Sequence, residues 1–185
     1  EFENKHVIFI GQDREWKSFE TFIQANTANI LSLKSIYITD ENRKEFNQQL
    51  ESLDSEQCVI VKTAGYPGRL MTVDYTTPTK IFFDCVKQIG AKTVGVTGTK
   101  GKSTTASLIA HILKNSGIPA LLGGNIGTPM LDLLSLAEEH SIFILELSSY
   151  QLAELEVSPD LAVITNLYRD HIDYHGNLEK YWEAK

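Results

Sequence analysis

At 185 residues, 42% hydrophobic and 22% charged, the chain is long enough to bury one large core or two small ones. Its net charge of −7 argues against a nucleic-acid backbone as the main partner, because neutralising phosphates needs a basic surface, although a local basic site stays open. No apolar run approaches the ~20 residues of a membrane helix and no signal-peptide pattern opens the chain, so a cytoplasmic protein without membrane insertion is expected.

The first apolar run, "HVIFI" (6–10), is β-rich and ends at Gly11. Trp16, Phe19, Phe22 and Ile23 then share one helical face. "SIYIT" (35–39) reads as a second strand, followed by a polar helix carrying Phe46, Leu50 and Leu53, and "CVIVK" (58–62) as a third. Residues 63–78 have the Gly and Pro content of a loop, and Thr77-Pro78 has the form of an N-cap with a first-turn proline for a helix running to Gly90. A new unit opens near Ala91, with a strand at 93–97, a helix at 102–116 and a short strand "PALLG". A helix around 129–137 and two apolar strands, 141–146 and 160–166, complete it. Continuous apolar strands separated by helices indicate α/β architecture with parallel sheets covered on both faces. The expected domains are 1–90 and 91–185. Cys58 and Cys85 sit in apolar surroundings and fit buried thiols better than a disulfide. The chain opens on Glu1-Phe2 and stops at Lys185 inside a helical pattern, so a piece of a longer protein is expected.

Between the strand ending at Thr97 and the helix opening at Lys102 lies Gly98-Thr99-Lys100-Gly101. Small residues there let backbone N–H groups point inward, and the helix N-terminus favours an anion. Residues Gly98, Thr99, Lys100, Gly101, Lys102, Ser103 and Thr104 therefore read as a phosphate cradle, with Lys102 for terminal phosphates and Ser103 for Mg2+. The alternative is a Gly-rich turn with a solvated lysine. The strict spacing wants glycine at 96, and this chain has Val96. Glu146 ends an apolar strand, where a carboxylate near the metal is needed. In "NLYRDHIDYH", His171 between Asp170 and Asp173 is a metal site, a proton shuttle or a polar loop. It follows a strand at its carboxyl end, the ligand-binding side of such sheets.

"GVTGTKGKSTT", "GGNIGTP" (123–129), "LELSSYQL" (145–152) and "NLYRDHIDYHGNLEKYWEAK" (166–185) together resemble the Mur ligases, ATP-dependent amide ligases of peptidoglycan precursor synthesis. The resemblance includes the missing first glycine and is dense from about residue 91. It implies a Rossmann-like N-terminal domain that binds a UDP-linked substrate, then a P-loop NTPase-type central domain, with ATP and Mg2+ as cofactors. The implied substrates are UDP-N-acetylmuramoyl-L-alanine and D-glutamate, joined through an acyl phosphate, and the full-length form is expected as a monomer. Lys102 would hold ATP phosphates, and Ser103 and Glu146 a first Mg2+. Asn125, Ser148 and Gln151 would touch the UDP-linked substrate. His171 would ligate a second Mg2+, and Lys185 would be the lysine that becomes carbamylated and helps place that metal. Thr39 and Asp40, closing the second predicted strand, are the candidate ribose or uracil contacts. The loops "IGQDREW" and Lys62-Thr63-Ala64-Gly65 depart from the family's glycine-rich and Ser-Pro-Gly turns. A folylpolyglutamate-type ligase, another muramyl ligase and a nucleotide-binding module without catalysis are the rival readings. The 185-residue chain by itself is expected to be catalytically silent.

Overall fold

Alternation along β1 (His6–Ile10) builds the first core from both faces of one strand. Phe9 stacks on Phe19 and tilts against Trp16, both from α1 (Asp13–Asn26), with ring centroids 5.0 and 5.5 Å apart. On the opposite face, Ile8 and Ile10 pack with Phe46 and Leu50 of α2 (Arg43–Glu51) and with Ile60 of β3 (Cys58–Lys62). The strands pair in parallel in the order β2-β1-β3, with β2 spanning Ser32–Ile36. The fold is a computed structural model that describes residues 2–11, 13–39 and 41–185, with nothing described of the Asp13 side chain.

The second strand lies earlier than the predicted 35–39. Its register is set by β1, with His6 opposite Ser32 and Ile10 opposite Ile36, and the ladder closes where Gly11 N–H donates to the Ile36 carbonyl at 3.0 Å. Ile38, the residue that made the later segment look like a strand, instead turns into the core beside α2. Propensity identified the apolar residues, and pairing chose the segment.

From Thr79 onward the chain forms a second compact unit; the first is Glu1–Pro78. The division falls at the start of α3 (Pro78–Ile89), not at its end near residue 90. The physical reason is visible in Phe82, which meets Phe143 edge-on at 5.2 Å, and both are fully buried. Burying such a ring stabilises by about 1.5–3 kcal/mol, enough to assign the helix to this sheet.

The second sheet has four parallel strands in the order β5-β6-β4-β7: β4 (Lys92–Thr97), β5 (Ala120–Gly124), β6 (Ile142–Glu146) and β7 (Leu161–Ile164). α4 (Lys102–Asn115) lays Ala106 and Ala110 on Val96, Ala120 and Ile144. The small alanines let the helix approach the sheet closely. α5 is a short helix, Met130–Leu134, and the last two strands are likewise shorter than the sequence suggests. α6 (Ser149–Leu152), α7 (Ile172–His175) and α8 (Leu178–Ala184) follow on the carboxyl side of the sheet. Among the described residues, no helix is long and apolar enough to cross a membrane. Cys58 and Cys85 are free thiols, each partly buried.

Candidate functional site

The loop between β4 and α4 enters the helix through Gly101, which is left-handed at φ 83°. No side chain caps the first turn of α4, whereas Ser148 caps α6 and Asn177 caps α8. An uncapped helix start of this length leaves backbone donors facing outward, the arrangement that receives an anion. Lys102 bends over the loop, its Nζ donating to the Thr99 carbonyl at 3.0 Å.

The glycines of the motif do separate jobs. A Cβ at Gly95 would press on Pro159 and Leu147, and one at Gly98, whose φ is 142°, would collide with the Thr165 hydroxyl. Val96 occupies the place of the strict pattern's first glycine because its side chain is fully buried in the core under α4. A glycine there would leave a cavity. The departure from the strict spacing is therefore a packing requirement.

At the end of β6, Glu146 is 2% exposed, yet both carboxylate oxygens are engaged. Oε2 accepts from Ser103 Oγ at 2.6 Å and Oε1 from Asn125 Nδ2 at 2.8 Å. Asn125 is carried there by Gly124, left-handed at φ 100°, and its own N–H donates to the Glu146 carbonyl at 2.9 Å. Charge-assisted bonds of this kind are worth about 1.5–3 kcal/mol each and make a buried carboxylate tolerable.

Lys185 reaches the start of the same loop, with Nζ donating to Thr97 Oγ1 at 2.9 Å and to the Gly98 carbonyl at 3.0 Å. Burial, and then the Lys102 charge, pull its amine down to about 8, while Asp170 and Glu146 act in the opposite direction. Gly98, Lys102, Ser103, Asn125, Glu146 and Lys185 are thus brought together by bonds and charge.

His171 enters from the far side of β4, since β6 and β7 flank that strand. It is left-handed at φ 50°, with Nδ1 2.9 Å from Tyr150 Oη and Nε2 3.6 Å from Asp170 Oδ2. Burial, followed by Asp170 and Asp173, raises the Tyr150 hydroxyl and keeps it protonated. Thr104 is exposed on the first turn of α4. Ser148 and Gln151 have another occupation: they form the capping box of α6, Ser148 N–H donating to Gln151 Oε1 at 2.9 Å and Gln151 N–H to Ser148 Oγ at 3.2 Å. That pattern, Ser-x-x-Gln before a helix, was open to reading in the sequence.

Among the described residues, no three His, Cys, Asp or Glu side chains cluster as a metal cage. The adjacent oxygens of Ser103 and Glu146 are nevertheless hard donors, which suits a magnesium ion shared with phosphates and water.

In the first unit the carboxyl edge is closed by its own residues. The order β2-β1-β3 puts the crossover point between β1 and β3, where Gly11 has no room for a Cβ against Thr63. Lys62 is fully buried, donates to the Tyr66 carbonyl at 2.9 Å and lies 5.0 Å from the Tyr75 ring centre. Burial raises the Glu15 carboxyl, partly offset by Lys62 and Arg14. Thr39 stands exposed at the turn before α2, its N–H donating to Asn42 Oδ1 at 2.8 Å. Asp40 lies outside the described residues.

Residues 96–185 match the Mur ligase middle domain. Over its whole length the chain is 31% identical to a UDP-N-acetylmuramoylalanine–D-glutamate ligase of Streptococcus agalactiae, of which it covers 45%. Over 100 residues, 54% of the chain, it is 46% identical to the enzyme of that name in Clostridium acetobutylicum, covering 22% of it. A UDP-N-acetylmuramoyl-L-alanine–L-glutamate ligase of Micromonospora is 51% identical over 94 residues, 51% of the chain and 20% of that relative. The chain thus spans less than half the length of these curated relatives. Among solved structures, UDP-N-acetylmuramate:L-alanyl-gamma-D-glutamyl-meso-diaminopimelate ligase from Neisseria meningitides shares the fold. It has a TM-score of 0.53 and 19% identity across 97% of this chain and 66% of that one.

Proposed function

From the match of residues 96–185 to the Mur ligase middle domain, we propose that the chain is part of a Mur-type, ATP-dependent ligase. The reaction joins D-glutamate to UDP-N-acetylmuramoyl-L-alanine in peptidoglycan precursor synthesis. The substrate carboxylate attacks the γ-phosphate to give an acyl phosphate and ADP, and the glutamate amine then displaces phosphate. The observation that carries the reading is the uncapped start of α4 with Ser103 Oγ 2.6 Å from the Glu146 carboxylate.

The chain's own groups supply what two meeting anions require. The loop amides and Lys102 hold the terminal phosphates and offset their repulsion with the carboxylate. Ser103 and Glu146 are the residues that would hold Mg2+, and His171 and Lys185 would serve a second ion. Bound there, Mg2+ supplies charge neutralisation of the transferring phosphoryl group. Asn125 fixes the Glu146 carboxylate from its other oxygen, so the acid keeps one orientation. An amine lowered to about 8 leaves Lys185 an uncharged fraction near neutral pH, the form that takes up carbon dioxide as a carbamate. Asn125, Ser148, Gln151, Thr39 and Asp40 remain the candidate contacts for the UDP-linked substrate. For Ser148 and Gln151, such contacts would have to coexist with the capping box.

A second reading, L-glutamate as the incoming amino acid, is favoured by the 51% identity to the L-glutamate ligase over 94 residues of this chain. One assay decides both: phosphate release from ATP by the full-length protein with UDP-N-acetylmuramoyl-L-alanine and either D- or L-glutamate. Turnover only with D-glutamate supports the first reading, turnover only with L-glutamate the second, and none with either ends both.

A further inference from the structure

We propose that Asn166 is a positioning residue for the phosphate loop, its side-chain amide standing in for a strand edge that fixes the Lys100 peptide. The inference rests on the reading of residues 98–104 as a phosphate loop. Asn166 Oδ1 accepts from Lys100 N–H at 2.9 Å and Nδ2 donates to the Lys100 carbonyl at 3.0 Å. A paired β-strand offers the same donor and acceptor to a backbone.

The surrounding bonds have the same sense. The last regular rung between β4 and β7 pairs Thr97 with Ile164. Beyond it, Thr165 N–H donates to the Thr97 carbonyl at 2.9 Å, and Thr99 N–H donates to the Asn166 carbonyl at 2.9 Å. Thr165 Oγ1 donates to the Lys100 carbonyl at 2.6 Å. Side chains of two consecutive residues therefore continue the sheet into a loop that regular pairing has left. Gly98 is required because a Cβ there would occupy the space of the Thr165 hydroxyl. The Lys100 side chain is exposed, so burial of that side chain does not hold its backbone.

The orientation of that peptide decides the polarity of the cradle. Lys100 precedes Gly101, the residue that opens α4. With its carbonyl held outward by Asn166 and Thr165, the donors that follow face the anion. Released, the carbonyl can rotate inward and set an oxygen against a phosphate. Asn166 and Thr165 act on the loop backbone, so theirs is a positioning role. The two-sided contact also explains why an amide is needed. A carboxylate of equal size would keep the bond to Lys100 N–H, lose the one to the carbonyl, and add a negative charge beside the loop.

The test is titration of the 15N-labelled chain with inorganic tripolyphosphate, reading the Lys100, Gly101 and Lys102 amides. Wild type is expected to bind with shifts confined to residues 98–104. Asn166→Ala and Asn166→Asp should each weaken binding about tenfold or more, the scale of one oriented hydrogen bond, and move the Lys100 amide before any ligand is added. Binding within twofold of wild type and an unmoved Lys100 amide would overturn the proposal while leaving the phosphate loop intact. If the wild type shows no shifts in the loop, the phosphate-loop reading fails and the proposal falls with it. Hydrogen exchange on the unliganded wild type is independent of the variants' folding. Slow exchange of Lys100 N–H supports the clamp, and exchange at the rate of a free amide overturns it.

Discussion

In the first unit Lys62 is fully buried at the end of β3 and donates to the Tyr66 carbonyl, beside the Tyr75 ring. In the second, Lys185 is half-buried, rests on Thr97 and Gly98, and has its amine lowered to about 8. Both lysines lie at the carboxyl edge of a parallel sheet. The first is enclosed by fixed carbonyls and has Glu15 within electrostatic reach. The second shares its surroundings with another cation, Lys102, and stays accessible. Enclosure turns a buried cation into a structural element, while a competing charge and partial access make it available for chemistry.

The contrast can be broken first at Lys102. Lys102→Ala in the full-length protein should lower ATP-dependent ligation by about 100-fold or more, with thermal unfolding unchanged, because the side chain bends over a loop and supports no core. Turnover near wild type would remove the second edge from the phosphate-binding class. Next comes Lys62→Met, which should cost about 3 kcal/mol by removing the larger of the two cationic effects on Glu15 and the donor to the Tyr66 carbonyl. Urea unfolding followed through Trp16, whose ring meets Phe9, reads that loss. A change below about 0.5 kcal/mol would make Lys62 replaceable packing and erase the distinction.

A smaller effect is expected at Gly98→Ala, about 1–3 kcal/mol by thermal melting, since φ 142° and the Thr165 hydroxyl both oppose a side chain. Lys185 sharpens the comparison through pH. Its folded amine titrates near 8 against an ordinary 10.5, so between those values the unfolded chain binds the extra proton. The lysine's contribution to stability must therefore rise from pH 8 to 10.5, and Lys185→Met should flatten that rise in melts taken across the window. The smallest effect belongs to Asp160, held down to about 2 by Lys92 and by Thr93. Its contribution is present above the ordinary carboxylate value and is lost as pH falls through about 2. Because its side chain is 41% exposed, Asp160→Asn should lower stability only slightly above the ordinary carboxylate value, and the two profiles should converge as pH falls through about 2.

What could be read in the sequence was what depends on local pattern. The apolar strands, the strand–loop–helix of 93–116 and the burial of Glu146 all follow from runs of residue type. The edge of β2 could not, because Ser32–Ile36 is a strand only through its register against β1. Val96 looked like a defect in a motif until the core beneath α4 was visible. Asn166 was hidden for the same reason: its partner, Lys100, is far away in the chain. Ser148 and Gln151 were the opposite case, a local capping box whose Ser-x-x-Gln spacing is written in the sequence itself.

β7 has only four residues and stands at an edge of its sheet, with Leu161 58% and Ile164 50% exposed. Strands of that kind fray before the rest of a domain opens. Since Thr165 and Asn166 leave directly from its end, the order of the loop before α4 is tied to that fraying equilibrium. Affinity for a polyphosphate should then weaken with warming sooner than the fold itself melts, and amide exchange at Thr165 should track that loss while Ile144, in the sheet interior, stays protected.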